Sequence, residues 1–392
     1  MLVPKLRFKE FGSSLLSNKI EDLAKITTGN KDTQDKDDRG RYPFYVRSQN
    51  IEKINSYSFD GEAILTAGDG VGVGKIYHYI NGKFDFHQRV YCIYNFDKKI
   101  LGKYLYYYFS EKFYNRVIRI SAKNSVDSVR KDMIAKMVVT YPHSLLEQTK
   151  IAVFLTTLDT RINQQEKQCQ LLEQYKRNIM QQIFSQQLRF KDDNGREFPE
   201  WESKILNDIG KSFNGLVGKS SNDFGKGSKY ITYKQVFDNN KINLDLCSLV
   251  TVDDEQNSVQ FGDIFFTISS ETPNEIAYSS VLLSYPQEKV YLNSFCFGFR
   301  VNSFKILSPY FACYLFRSSF FRETILKLAQ GSTRFNISKT SFLNTSILLP
   351  CEKEQTKIAK FLTAIDEKIN LVKAQLEQLN TYKKGLLQQL FI

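Results

Sequence analysis

Apolar residues recur at alternating steps of four and three along two long stretches of the chain. The first series is Ile151, Leu155, Leu158, Ile162, Cys169, Leu172, Ile179 and Ile183, with Gln165 and Lys176 filling two of its places. The second is Ile358, Leu362, Ile365, Ile369, Val372, Leu376, Leu379, Leu386 and Leu390, with Lys383 at the place that Lys176 holds in the first. A seven-residue apolar repeat sustained over more than four heptads is the seam of a coiled coil. Pro142 and Pro350 stand a few residues ahead of the two seams, where proline is compatible with a helix boundary. At 1.5 Å per residue, about 40 residues make a rod of roughly 60 Å, the dimension of a spacer. Lysine at the same seam position in both stretches favours their pairing with each other. Each helix starts where its own domain ends, which predicts antiparallel pairing.

Outside the seams the pattern is different. Short aromatic and β-branched runs at 90–94, 264–267 and 295–299 predict strands, and 101–120 and 309–329 each predict a helix. These regions read as mixed α/β.

The chain is also a repeat of two. Glu147-Gln-Thr-Lys-Ile-Ala152 recurs 207 residues on as Glu354-Gln-Thr-Lys-Ile-Ala359. The match continues without a gap through Phe154-Leu-Thr156 and Phe361-Leu-Thr363, Asp159 and Asp366, Ile162-Asn163 and Ile369-Asn370, Tyr175-Lys176 and Tyr382-Lys383, and Phe184 and Phe391. Upstream the likeness is looser: Leu6-Arg-Phe-Lys9 echoes Leu188-Arg-Phe-Lys191, and Gly61–Thr66 resembles Gly262–Thr267. The order is therefore variable unit, helix, variable unit, helix.

Composition narrows the partners. A net charge of +12, with 22 tyrosines and 31 phenylalanines, points to a polyanion, nucleic acid first. No run of about 18 apolar residues suggests a membrane span, and the N-terminal MLVPKLRFKEF carries no apolar core of a secretion signal. The six cysteines form no C-x-x-C pair, so a cytosolic protein with reduced, core cysteines and no metal site is expected.

The stretch Thr66-Ala-Gly-Asp-Gly-Val-Gly-Val-Gly-Lys-Ile76 invites a nucleotide reading, which counting rejects. A P-loop anchored on Gly74-Lys75 has Asp69 in place of its first glycine and Ile76 in place of Ser or Thr. A dinucleotide fingerprint started at Gly68, Gly70 or Gly72 meets Val73, Lys75 or Tyr77 where its last glycine belongs. A β-rich run follows where both motifs require a helix, so a strand-to-strand turn is expected. Methylation by the chain itself is equally ill-supported: none of its eight prolines is adjacent to another, which excludes the [ND]-P-P-[YF] loop of an amino-methyltransferase. Acidic-x-lysine triplets such as Glu202-Ser-Lys204 are too common to mark a nuclease, and three histidines offer no nucleophile constellation.

The duplicated EQTKIA…FLT…D…IN helix, the Phe198-Pro-Glu-Trp201 preamble and the alternating layout together resemble the specificity subunits of type I restriction–modification enzymes. The resemblance covers nearly the whole chain. It implies an α+β fold with two target-recognition domains (1–143 and 188–350) separated by two helical regions (144–187 and 351–392) that form an antiparallel coiled coil in a pseudo-two-fold repeat. It further implies a non-catalytic, cytoplasmic bacterial reader of double-stranded DNA. Each domain would read one half of a split, asymmetric target, and the helices would set the spacing and dock two methyltransferase subunits, with two motor/nuclease subunits joining them. No cofactor is expected on this chain, since S-adenosylmethionine, ATP and Mg would belong to the partners. The second domain has TISSETPNEIAY in place of the glycine loop, so the two domains should read different sequences.

Base readout needs side chains able to bond base edges, while Lys, Arg, Ser and Thr mostly hold phosphates. Polar clusters after strand-like runs are the candidates. In the first domain these are Arg47, Ser48, Gln49 and Asn50; Thr66, Gly68, Asp69, Gly70, Gly72, Gly74 and Lys75; Gln88 and Arg89; and Lys123, Asn124, Arg130 and Lys131. In the second they are Lys229, Tyr230, Tyr233 and Lys234; Thr267, Ser269, Ser270 and Thr272; and Thr333, Arg334, Asn336, Ser338 and Lys339. The loop glycines are expected to let the backbone approach DNA closely.

Overall fold

A computed structural model describes residues 4–12, 14–121, 128–252, 255–331 and 333–391. The chain divides into two compact units, residues 1–167 with 373–392, and residues 168–372.

The first unit runs β1 (Leu15–Lys19), α1 (Ile20–Leu23), β2 (Lys25–Thr28), β3 (Tyr42–Tyr45), β4 (Glu52–Ile54), β5 (Phe59–Ala67), β6 (Tyr77–Phe86), β7 (Val90–Tyr94), α2 (Gly102–Ser121), α3 (Lys131–Ala135), β8 (Val138–Pro142) and the start of α4 (Leu145–Phe184). Six strands form one sheet in the order β2-β7-β5-β6-β3-β4, and β1 pairs with β8. Strand β5 lies between β7 and β6 and is apolar on both faces, so Ala63, Ile64 and Leu65 are all buried. The aromatic face of α2, with Tyr107, Phe109 and Phe113, packs with Ile64 and Ile93 of the sheet. The same core takes Ile151, Leu155, Leu158 and Ile162 of α4, together with Leu386, Leu390 and Phe391 from the end of the chain.

The second unit runs β9 (Glu202–Ile205), α5 (Leu206–Ile209), β10 (Gly210–Asn214), β11 (Phe224–Ile231), α6 (Tyr233–Asp238), β12 (Ser248–Val250), β13 (Ile264–Thr267), β14 (Ser269–Ser270), β15 (Ser279–Val281), β16 (Tyr291–Leu292), β17 (Cys296–Val301), α7 (Pro309–Leu315), α8 (Ser319–Leu326), β18 (Phe335–Asn336), α9 (Lys339–Leu343), β19 (Ser346–Leu349) and the start of α10 (Glu352–Leu390). Its sheets are β10-β17-β13-β15 and β12-β11-β16, with the pairs β14-β18 and β19-β9. The order mirrors the first unit: β10, β17 and β13 stand where β2, β7 and β5 stand. One core gathers Phe266, Phe297, Phe299 and Phe342 with Ile183 and Phe184 of α4 and Ile358, Leu362 and Ile369 of α10.

The predicted seams are real, and the lysines placed in them are paired. In the second unit Lys176 donates to Asp366 (2.5 Å) and Arg189, just past α4, donates to Glu354 (3.1 Å), so the two helices run antiparallel there. In the first unit Lys383 lies 2.5 Å from Asp159, the same pair with its members exchanged between helices.

Two expectations need correction. The single helix expected over 309–329 is two. Ser318 ends the first by capping the second, its Oγ accepting from the Phe321 N–H (3.2 Å). Arg317 turns inward to donate to the carbonyls of Ser279, Val236, Phe237 and Asn239. Burial pushes its guanidinium down to about 10. The apolar periodicity runs on through this break, so the pattern alone does not show it. The match of Gly61–Thr66 to Gly262–Thr267 is one place out. Ala67 faces Val90 and Thr267 faces Cys296 at the same end of the ladder, so Thr267 corresponds to Ala67 and not to Thr66.

Candidate nucleic-acid interface

The residues repeated between the two halves serve the framework. Gln148, fully buried, accepts from the Leu101 N–H and donates to the carbonyls of Lys99 and Pro142 (2.8 Å each). Gln355 repeats this clamp on Ser308, Ile306 and Pro350. Arg7 donates to Glu147 as Arg189 does to Glu354, and Phe8 meets Phe154 edge-on as Phe190 meets Phe361. The FPEW preamble wraps the second of these ion pairs: Arg189 also donates to the Phe198 and Pro199 carbonyls, and Trp201 Nε1 donates to Glu354. Tyr107 donates to Asp159 (2.7 Å) and Tyr314 to Asp366 (2.9 Å). With these carboxylates and carbonyls engaged inside the protein, chemistry toward an outside partner falls to the residues that differ.

In the first unit those residues converge at one end of the sheet. Arg47 follows β3, Asp69 follows β5, Arg89 precedes β7, and Ser128 bridges to Asp69. Asp69 accepts from Arg47 (2.9 Å) and Arg89 (2.7 Å), both of them exposed. Partial burial opposes ionisation of Asp69, but the two guanidinium hydrogen bonds outweigh it and hold the carboxyl below its usual range. Behind Arg89, His87 is nearly buried. Its Nδ1 accepts from the Arg89 N–H (2.9 Å), and Asp32 lies 3.4 Å from its Nε2 and also accepts from Gln88. Ser48 offers its carbonyl to buried His78, Lys75 sits over the Tyr114 ring, and Gln49, Asn50, Arg130 and Lys131 are exposed. Lys123 and Asn124 lie outside the described residues.

The glycines of the loop are set by the protein itself. A Cβ on Gly68 would stand 2.9 Å from the Arg89 carbonyl oxygen and one on Gly72 would strike Ile76. Gly70 and Gly74 have positive φ (87° and 70°). Gly68 and Gly74 are buried, so they cannot serve the close approach expected of them. Thr66 is fully buried and is corrected from contact candidate to core residue.

The second unit uses the same end of its sheet with different chemistry. The Ile268 N–H bonds the Phe295 carbonyl and the Ile337 N–H bonds that of Ile268, as Gly68 bonds Arg89 and Val129 bonds Gly68 in the first unit. Tyr233, Ser269, Ser270, Glu271, Phe295 and Arg334 line a cavity of about 360 Å³ there. Tyr233 donates to the Ser269 carbonyl (2.8 Å), and burial raises its phenol. Thr333, Arg334, Asn336, Thr272 and Lys234 are exposed. Ser338 caps α9, and half-buried Lys339 donates to Asn214, its ammonium lowered by burial. Lys229 is paired with Glu288 (3.0 Å), and Tyr230 is half-buried against Phe224. Thr267 is fully buried, its Oγ1 accepting from the Tyr278 N–H, and the Ser269 and Ser270 hydroxyls are nearly so. Thr267 is therefore also withdrawn as a contact. Phe295 also lines this cavity, and the sequence did not single it out as a candidate because it has no polar atom.

Among the described residues no helix is long and apolar enough to cross a membrane, and no group of His, Cys, Asp and Glu could hold a metal ion.

Comparison with known proteins places this geometry. The family model described as the type I restriction modification DNA specificity domain matches residues 17–173 and 199–381. The type I restriction enzyme EcoDI specificity subunit of Escherichia coli is 30% identical over 189 residues, 48% of this chain and 40% of that protein. The MjaVIII specificity subunit of Methanocaldococcus jannaschii is 26% identical over 296 residues, 73% of this chain and 69% of that one. The chain thus spans less than half the length of the first relative. In structure it is similar to the type I restriction–modification S subunit from M. genitalium, with a TM-score of 0.63 and 15% identity over 100% of this chain and 99% of the other. A chain from a structure of type I complex assembly and conformational transition gives 0.58 at 12% identity over 97% and 99%.

Proposed function

The chain belongs to the type I restriction–modification DNA specificity family, and on that premise we propose that it reads a split double-stranded DNA target and leaves the chemistry to partners. Each unit reads one half of the target. The two long helices set the number of unread base pairs between the halves and dock two methyltransferase subunits, which two motor/nuclease subunits join. S-adenosylmethionine, ATP and Mg act on those partners.

One observation carries the reading: in both units, polar and charged side chains from separate segments meet at the same end of the sheet, while the side chains there differ. Arg47, Asp69 and Arg89 occupy that end in one unit; Tyr233, Glu271 and Arg334 occupy it in the other. A shared scaffold with unlike tips is what two readings of one polymer require.

The test is to assemble the chain with its methyltransferase, offer randomised duplex DNA and map the methylated sites by single-molecule sequencing. A two-part motif is expected, and Arg334→Ala should relax one part while leaving the other intact. Loss of preference across both parts would make Arg334 a phosphate or structural residue. Methylation or cleavage by the chain free of other subunits would sink the non-catalytic reading.

A further inference from the structure

The glycine loop of the first unit is stiff. Val73 N–H bonds the Gly70 carbonyl, and Lys75 and Ile76 both bond that of Gly72. Val73 and Ile76 are buried, the Tyr77 hydroxyl donates to the Gly74 carbonyl, and Asp69 is tied to two arginines. At the tip of this fixed loop stands Val71, fully exposed. A lone surface valine is ordinary. A valine held in solvent by a preorganised loop, two residues on from the carboxylate that two arginines share, has a more specific use.

Counted from the strand end that the two units share, the place of Val71 is taken in the second unit by Glu271, in a loop two residues longer before the next strand of the same sheet. Asp69 bridges Ser128, and Ser269 pairs with Asn336; the hydrogen bonds of Gly68 and Ile268 match in the same register. Counting on two residues from Asp69 and from Ser269 reaches Val71 and Glu271. Glu271 is exposed and lines the cavity with Arg334 and Phe295. An exposed carboxylate on the polyanion-facing end of a protein of charge +12 is repelled by phosphates, and is favoured only where it reaches a donor.

We infer that residues 71 and 271 are corresponding base-reading positions: Val71 meets the C5-methyl group of a thymine, and Glu271 accepts a hydrogen bond from the exocyclic amine of a cytosine. These are the base-edge groups that an apolar and an acidic side chain respectively recognise in the major groove. The inference rests on the DNA-reading function proposed above and names the chemistry of two of its contacts.

The experiment is selection from randomised duplex DNA by the assembled complex, carried out for the wild type, Val71→Ala and Glu271→Gln. The Val71 side chain is solvent-exposed and Glu271→Gln is isosteric, so neither change should disturb folding. Val71→Ala should lose about fourfold preference for thymine at one position of one half-site, the worth of burying a methyl group or so. Glu271→Gln should lose about tenfold preference for cytosine at one position of the other half-site. Replacing the selected thymine by deoxyuridine should cost the wild type the same fourfold and cost Val71→Ala nothing further. If the wild type selects a two-part sequence that both variants reproduce unchanged, or if each variant weakens all sequences equally, this inference fails and the DNA-reading function stands. If the wild type selects no sequence, both fall.

Discussion

Asp69 makes one site of two arginines that come from different strands' ends. Replacing it with Asn keeps the shape but removes a charge from the centre, so Arg47 and Arg89 become free to follow phosphates. Asp69→Asn should therefore raise affinity for random duplex DNA while cutting the preference for the cognate half-site by about tenfold, read by competition binding at fixed salt. Because the folded carboxyl lies below its ordinary 3.8, the ionised pair contributes fully above that value and is lost as pH falls through the folded one. Selectivity should accordingly stay flat from neutral pH down past the ordinary carboxylate range. At this scale the sequence was half legible. Polar clusters after strand-like runs pointed to Arg47, Asp69, Arg89, Arg334 and Asn336, which the fold brings to the ends of the sheets. They also marked Thr66 and Thr267, because alternation has no meaning on a strand buried on both faces, and neither hydroxyl shows that in its sequence neighbourhood.

The long helices were the most legible elements, since a heptad repeat needs no tertiary information. The break at Ser318 was not, because it depends on carbonyls from four distant residues that Arg317 satisfies. How each helix is fixed to its unit was equally hidden, although EQTKIA announced that something was. Gln148→Ala would strand the Leu101 N–H and the Lys99 and Pro142 carbonyls, a loss of about 2–3 kcal/mol. It should appear as a lower denaturant midpoint with an unchanged slope, and as weaker reading of one half-site. Four residues inserted after Asn163 lengthen the helix by about 6 Å, close to two base pairs of rise, and only stutter the heptad. The preferred unread gap should grow by one or two base pairs with both half-site sequences retained; full activity on the original gap would show that the helices do not set it.

Over the whole molecule, a charge of +12 implies binding that weakens steeply with salt. If about six phosphates are neutralised, log K should fall with log salt at a slope near −5 for cognate and random duplex alike, measured by fluorescence anisotropy. Composition suggested a polyanion, on which the proposed function rests, and the repeat suggested the two units that the fold shows. Neither alone shows that the first unit is discontinuous; the antiparallel pairing of the seams does, since it sets the end of α10 against the start of α4. Residues 373–392 belong with 1–167, bringing Leu386, Leu390 and Phe391 onto Ile151, Leu155, Leu158 and Ile162. Those four residues leave the ribosome some two hundred residues ahead of their cover. While the second unit, continuous in sequence, is being completed, the first is a nascent intermediate with an open apolar stripe, available to chaperones or to another chain. A stop codon at Lys373 should therefore damage the unit that was made first, abolishing one half of the reading while the later-made unit still folds.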